Sequence, residues 1–483
     1  MILSILSGII LSLPFSNASL WPLAWIGLLP LFISLDKNPR RPFLLPYLSG
    51  VAFWAFTVYW LVHVTLLGTV VLILYLALYF GIFGFLINKI KAKGAARLFF
   101  IPALWVLLEF ARGFVFTGFP WALLGYSQCK NLAVIQIADI TGAYGVSFLV
   151  VMINVALWGF LRPRTNDRPV RNAVVAALIM VVTLGYGFYK IRNLNLNPYP
   201  STLKVSVIQG NIPQDMKWVS GTKRFILDRY LNLTQSALGD KPDLIVWPEA
   251  ASPGLLGEDP GIFDKISALN KKAGIPLLLG AVSREKDLYF NSALLYEGGR
   301  ITQRYDKLHL VPFGEYIPLK DLFPFLQTIV PIGQISRGAT YEVFSPGGKP
   351  FSVLICFEDV FPALSREFVK RGARFLVNIT NDAWYKLSSA AYQHLQASIF
   401  RALENRVFLV RSANTGISAF IDPSGEAISL VRDAAGKDIF IEGFKAKAVR
   451  LKRGGLAFYT RFGDVFIFVC FLFVLCVIIS RRK

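Results

Sequence analysis

The sequence predicts an α-helical polytopic membrane domain of about eight spans joined to a large layered α/β domain on its outer side. Three observations carry this prediction. Apolar residues make up 54% of the 483 and charged residues only 17%, which is too little charge for a soluble chain of this length. The apolar residues gather in long blocks before about residue 190 and again at the C-terminus. Between those regions, short strand-like runs alternate with amphipathic helical stretches.

A helix needs about 20 apolar residues to cross a bilayer. Eight blocks approach that length, at about 2–15, 20–35, 43–65, 68–87, 98–114, 145–161, 173–189 and 465–480. The first lacks a basic start and a small-residue cleavage site, so it reads as a retained helix and not as a signal peptide. Charge sets the orientation. "DKNPRR", "NKIKAKGAAR" and "RPRTNDRPVR" follow the second, fourth and sixth blocks, and "RRK" ends the chain. The alternate connections "SNAS" and "HVTLLG" are free of Lys and Arg, and the stretch after Arg112 holds only Lys130. Basic loops stay in the cytoplasm, so both termini are expected there and residues of about 190–464 outside. The net charge of +21 is then largely topological. With no basic helix, zinc spacing or RNA-binding signature beside it, a nucleic-acid partner is not expected. Contact with anionic lipid headgroups accounts for the remainder. The expected domains are 1–190, 200–445 and the terminal helix 465–480.

In the outer domain, "LKVSVIQG", "DLIVWPEA", "PLLLGAVS", "FSVLICF", "RFLVNITND" and "FLVRSANTG" read as strands, and Gly298–Gly299 marks a hairpin. "KRFILDRYLNLTQSAL", "DKISALNKKAG" and "AYQHLQASIFRALEN" have helical spacing. Strands and helices in this order form a layered α/β sandwich.

Of the four cysteines, Cys129, Cys356, Cys470 and Cys476, only Cys356 falls in the outer domain. With no internal partner for a disulfide, it is either a buried filler or a reactive thiol, and its surroundings favour the second. "LICFED" ends an apolar strand at Cys356, "LIVWPEA" ends another at Glu249, and Lys307 follows the hairpin strand in "RYDKLHLVPFGEY". Sites in α/β folds gather at strand ends. A carboxylate can take a thiol's proton, and a lysine cation can stabilise a thiolate and an acyl oxyanion. That chemistry needs no histidine. The three histidines, His63, His309 and His394, read as structural.

Glu249 in "WPEA", Lys307 in "YDKLHLVPFGEY" and Cys356 in "ICFED" resemble the Glu–Lys–Cys triad of the nitrilase (carbon–nitrogen hydrolase) superfamily. With spans before and after the domain, and with "GFPWALLGYSQ", "QGNIPQDMKW" and "NDAW", nearly the whole chain resembles the apolipoprotein N-acyltransferase family. That resemblance implies an αββα sandwich and a ping-pong reaction at the bacterial inner membrane, without metal or cofactor. An acyl chain passes from a phospholipid donor to the cysteine as a thioester. It then passes to the amine of the diacylglyceryl-cysteine of an apolipoprotein.

By position, Glu249 is implied as general base, Lys307 as oxyanion stabiliser and Cys356 as nucleophile. The backbone N–H of Phe357 would be a second oxyanion donor. Glu315 and Glu358 match supporting acidic positions, and Trp218 and Trp384 match aromatic positions near the substrate cleft. Two departures stand out: Phe357 occupies a position where the family often has Tyr, and Tyr385–Lys386–Leu387 follows "NDAW" in place of Phe-Gly. The competing reading is a membrane-tethered amidase that hydrolyses an exported amide.

Residues 321–338 are unusually apolar for a loop. They read either as a membrane-facing lid or as a loop folded onto its own domain. Glu109 and Arg112 share a helix face inside the fifth block, and they read either as a headgroup contact or as a pair that anchors the helix. Nothing in the sequence calls for a partner subunit, so a monomer is expected.

Overall fold

The computed structural model describes residues 1–161, 168–196, 201–217, 219–317, 334–452 and 454–480. The chain divides into two compact units. The first comprises Met1–Asn197, Ser388–Glu404 and Ala457–Lys483, and the second Pro198–Leu387 and Asn405–Leu456.

The first unit is helical because its sequence leaves a chain in lipid no other choice. Backbone groups without water must be satisfied within the segment. Among the described residues, five helices are long and apolar enough to cross a membrane: Ala18–Lys37, Leu66–Ile90, Gly94–Arg112, Ala143–Leu161 and Pro169–Leu194. They match five of the eight expected spans. The other three expectations fall on shorter apolar helices, Ile2–Ser16, Leu44–Thr57 and Val465–Ser480. Close approach fixes the first of these. A Cβ on Gly8 would lie 2.2 Å from the carbonyl oxygen of Ser49, so the helices Ile2–Ser16 and Leu44–Thr57 meet backbone to backbone.

Buried polar groups tie this unit together. Asn154 donates to the carbonyls of Ala24 and Val150 and accepts from the N–H of Leu28, each at 2.9 Å. Glu109 and Arg112 are both buried, and they hold loop backbone instead of reaching for headgroups. The N–H of Leu124 donates to Glu109 at 2.8 Å, and Arg112 donates to the carbonyls of Phe119 and Trp121 at 2.9 and 2.7 Å. The pair therefore clamps the "FPWALL" segment.

The helix Ala390–Asn405 lies in sequence within the span expected for the outer domain, yet residues Ser388–Glu404 belong to the helical unit. Its buried polar face explains this. Gln393 accepts from the indole N–H groups of Trp60 and Trp121 at 3.2 and 2.7 Å and donates to the carbonyl of Thr57 at 2.9 Å. Arg401 and Glu404, fully buried, pair at 3.0 Å. Arg401 also donates to the Tyr126 hydroxyl, and Glu404 accepts from the N–H of Ala143.

The second unit is a two-sheet sandwich. Its strands are β1 (Thr202–Gln209), β2 (Leu244–Val246), β3 (Leu255–Leu256), β4 (Leu277–Glu285), β5 (Leu288–Glu297), β6 (Arg300–Asp306), β7 (Ser352–Ile355), β8 (Phe375–Thr380), β9 (Phe408–Ala413), β10 (Ala419–Ile421), β11 (Ala427–Leu430) and β12 (Gly443–Arg450). One sheet runs β12-β1-β2-β4-β5-β6 with β3 beside β4, and the other β11-β10-β9-β8-β7. β1, β2 and β4 are mutually parallel, as are β7, β8 and β9. β7, β8 and β9 are buried along their whole length, as parallel strands covered on both faces must be. The sheets face each other: the buried Ser412 hydroxyl on β9 bonds to the carbonyls of Ile208 on β1 and Val246 on β2, both at 3.1 Å.

Helices Lys223–Ala237 and Pro260–Ala273 cover the first sheet through Ile226, Leu227, Tyr230, Phe263 and Ile266 against Trp247, Leu277 and Leu279. Helix Pro362–Lys370 buries Leu364, Phe368 and Val369 on the β7–β8 side. The expected α/β sandwich is thus present.

The buried pair on Ala390–Asn405 makes a testable demand. Arg401→Leu strands the Glu404 carboxylate and should cost about 3–5 kcal/mol. The double variant Arg401→Leu/Glu404→Leu should be more stable than Arg401→Leu alone, as read by unfolding in detergent. A double variant that unfolds more readily than the single would contradict the pairing.

Candidate active site

The site forms where β2, β6 and β7 end. Glu249 follows β2 on a tight turn, in which Ala250 adopts a left-handed φ of 45°. That turn is pressed against β4, where Gly280 is required: a Cβ there would lie 2.6 Å from the Cα of Glu249. Lys307 follows β6 directly, and its N–H bonds to the carbonyl of Asn291 on β5 at 2.9 Å. Cys356 follows β7 with φ 53°, at the start of the short 3-10 helix Cys356–Val360. A non-glycine residue at positive φ between a strand and a helix is a strained elbow of the kind that presents nucleophiles.

The structure brings Lys307, Glu249 and Glu315 together. The Lys307 ammonium, only 1% exposed, lies 2.9 Å from Glu315 and 3.7 Å from Glu249. Asn291 joins the two carboxylates, since its Nδ2 donates to Glu249 at 2.8 Å and to Glu315 at 2.9 Å. Glu315 accepts a further bond from the N–H of Val311 at 2.8 Å, which closes the loop after Lys307. Burial acts to lower the Lys307 pKa, but the carboxylates of Glu315 and Glu249 outweigh it and hold the ammonium above the usual lysine range. Lys307 is a fixed cation at any working pH.

Cys356 is the opposite case. Burial pushes its thiol well above the ordinary value, the Glu249 carboxylate adds to that, and Lys307 pulls against both. The resting thiol therefore keeps its proton, and any attack by its sulfur needs a base to take it. Its elbow is braced from β8 and β9. Asn378 donates to the carbonyls of Leu354 and Cys356, both at 3.1 Å. Asn378 in turn accepts from Arg411 at 2.7 Å. Arg411, fully buried, also pairs with Asp359 at 3.1 Å and Asp382 at 3.0 Å.

The other expected residues divide. Glu358 is fully buried and faces backbone: its carboxylate accepts from the N–H groups of Leu308, His309 and Ile355 at 2.7–3.0 Å and from the Tyr305 hydroxyl. It ties the Lys307 loop to the Cys356 elbow. Burial pushes its carboxyl up to about 7, with the Ile355 N–H the first of several groups that oppose this. Phe357 is buried, its ring edge-on to Phe361 at 5.3 Å. An aromatic ring in that apolar cluster explains how the position holds without a tyrosine hydroxyl.

Trp384 stands half exposed on the turn Asp382–Tyr385. The adjoining Tyr385 phenol is raised by burial and then by the charges of Cys356 and Asp382, so the departure after "NDAW" puts a phenol within reach of the site's charges. Trp218 and most of the apolar loop 321–338 lie outside the described residues. His309 packs its ring on Phe361 at 3.7 Å, consistent with a structural role. Asn291, Asn378, Arg411 and Lys217 were not expected. The first three are polar residues inside strand runs, Lys217 follows the 3-10 turn Gln214–Met216, and Arg411 had the plainest signal: one arginine in an apolar strand.

Residues 7–156 match the family described as apolipoprotein N-acyltransferase N-terminal domain, and residues 204–450 match carbon-nitrogen hydrolase. The apolipoprotein N-acyltransferase of Geobacter metallireducens is 40% identical, over 97% of this chain and 92% of its own length. The chain belongs to the apolipoprotein N-acyltransferase family. The enzyme of that name from Pasteurella multocida is 32% identical over 88% of this chain and 86% of its own. Among solved structures, a nitrilase-superfamily amidase from Nesterenkonia has a TM-score of 0.41 and 18% identity, covering 55% of this chain and 95% of that one. This member of the apolipoprotein N-acyltransferase family is a membrane-embedded protein, in keeping with its five long apolar helices.

The shared donor from Asn291 can be tested directly. Asn291→Asp removes it and leaves three carboxylates sharing one ammonium. One of them then holds a proton at neutral pH and the cluster accepts the thiol proton poorly. Alkylation of Cys356 by iodoacetamide should fall at least ~10-fold at pH 7, the equivalent of about one pKa unit, and recover as pH rises. An unchanged rate would remove Asn291 from the site.

Proposed function

We propose that the chain is an N-acyltransferase that carries a fatty acyl group on Cys356 from a membrane phospholipid to the N-terminal amine of a diacylated apolipoprotein. The observation that carries this reading is the buried cluster of Glu249, Lys307 and Glu315, together with a cysteine on a strained elbow whose ionisation Glu249 and Lys307 both influence. It occurs in a chain that also matches the membrane domain of the apolipoprotein N-acyltransferase family.

The residues divide the work as follows. Glu249 takes the proton from the Cys356 thiol as sulfur attacks the ester carbonyl of the donor lipid. Negative charge develops on the carbonyl oxygen, where the Lys307 ammonium and the N–H of Phe357 stabilise it. Collapse of this intermediate breaks the ester C–O bond, and the lysolipid oxygen leaves with the proton from Glu249. In the second half, the acceptor amine attacks the thioester carbonyl and gives a proton to Glu249. The C–S bond breaks, and the thiolate recovers that proton. Glu249 alternates between base and acid while Lys307 keeps its charge throughout, which suits an ammonium held above the usual range. No metal or cofactor enters these steps.

A phospholipid donor suits the bacterial inner membrane, and the Lys/Arg pattern of the loops supports a sandwich on its outer side with both termini inside. The same charge pattern supports the division into a membrane domain of residues 1–190, a catalytic domain of 200–445 and a last helix at 465–480.

A ping-pong enzyme without its acceptor stalls in the covalent state. Purified protein given phospholipid alone should gain one fatty-acyl mass on the Cys356 peptide. A diacylglyceryl-cysteinyl peptide with a free amine should discharge it, and the same peptide N-acetylated should not. Transfer without any mass on Cys356 would replace the thioester route by direct attack of the amine. Discharge by water as fast as by amine would favour the tethered hydrolase.

A further inference from the structure

Lys217 ends the "QGNIPQDMK" stretch, after the 3-10 turn Gln214–Met216, and is 7% exposed. Its ammonium donates to the carbonyl of Ala250 at 3.1 Å and to that of Glu249 at 3.4 Å. These carbonyls belong to the turn whose Ala250 is held at a φ of 45°. Left-handed backbone at a residue with a Cβ persists only where its surroundings hold it. Two groups do so here. Gly280 lets β4 press against the Cα of Glu249, and Lys217 grips the turn by its carbonyls.

Lys217 is also a charge without a carboxylate partner. Among the described residues Glu249 and Glu315 both pair with Lys307, whereas no ion pair involves Lys217. Leaving an ammonium buried on two carbonyls is costly, so its persistence calls for a function. Burial brings its pKa down to about 8, and the groups acting in the other direction are Glu249 and Cys356. Lys217 therefore lies within the electrostatic reach of both the base and the nucleophile.

We propose that Lys217 is a positioning residue that fixes the turn carrying Glu249, and so holds that carboxylate where it can take the Cys356 proton. This assignment rests on Cys356 being the nucleophile.

The test uses full-length protein in detergent and iodoacetamide as probe, with the rate of Cys356 alkylation followed from pH 6 to 10. Iodoacetamide needs no lipid, so the result is independent of the acyl-transfer reading. Lys217→Met should slow alkylation at pH 7 at least ~10-fold, because a displaced Glu249 takes the thiol proton poorly, and approach the wild-type rate toward pH 10, where hydroxide takes it instead. Lys217→Arg should restore the rate at pH 7. Unfolding curves for both variants show whether each is folded. A Lys217→Met variant with the wild-type rate at pH 7 would overturn the proposal. So would a variant slowed equally across the pH range and not rescued by arginine, because that is the signature of lost packing alone. If Lys217→Met behaves as expected while wild-type protein never takes an acyl group, the functional reading falls and the role of Lys217 stands.

Discussion

The burial of the Lys307 ammonium is the constraint on which the site depends. Removing an ammonium from water costs several kcal/mol unless good partners surround it. Lys307 has Glu315 at 2.9 Å and Glu249 at 3.7 Å. Those carboxylates are costly in their turn and need donors of their own. Asn291 serves both, and the N–H of Val311 serves Glu315. Glu249 follows β2, Asn291 lies within β5, and Lys307 and Glu315 follow β6, so the cluster exists only when those strands of the first sheet are in place. Glu358 extends the same logic to the other sheet, where one carboxylate binds backbone on both sides of the site. Charge here is a device for holding loops at fixed positions, which a reaction with developing charge requires.

Much of this was legible in the sequence, for a physical reason. A strand that ends in an ionisable residue announces itself through the contrast between its apolar run and its terminus, so Glu249, Lys307 and Cys356 stood out. Spans announce themselves by length, and five of eight correspond to helices long enough to cross. What stayed hidden depends on distance in sequence. Asn291 reads as an ordinary strand residue until β5 is paired between β4 and β6, which brings it to both Glu249 and Glu315. Arg411 gains meaning only when Asp359 and Asp382 are both brought to it. Lys217 gains meaning only when the turn after β2 is brought to it. For Glu109 and Arg112, the sequence left open a headgroup contact or a pair that anchors the helix. Burial turned them inward to the backbone of the segment that contains Trp121.

The helix Ala390–Asn405 teaches a related lesson. Its amphipathic pattern marks it as helical and gives no hint of what its polar face will meet. Gln393, Arg401 and Glu404 find partners on Trp121, Tyr126 and Ala143, all within the helical unit. The chain thus passes from β8 through the "NDAW" turn, gives one helix to the apolar bundle, and returns to the sandwich at β9. Cutting the sequence at a domain boundary would lose that exchange.

The chemistry follows from the contrast between a cation that cannot be discharged and a thiol that keeps its proton at rest. On the proposed mechanism, a protonated thiol in a buried site attacks only when a base and a cation act together. The most direct measurement is the single-turnover rate of acyl-enzyme formation in Lys307→Met, with folding checked by its unfolding curve. The account predicts a folded protein whose rate is lower by on the order of 100-fold or more. A folded variant that acylates Cys356 at close to the wild-type rate would contradict it.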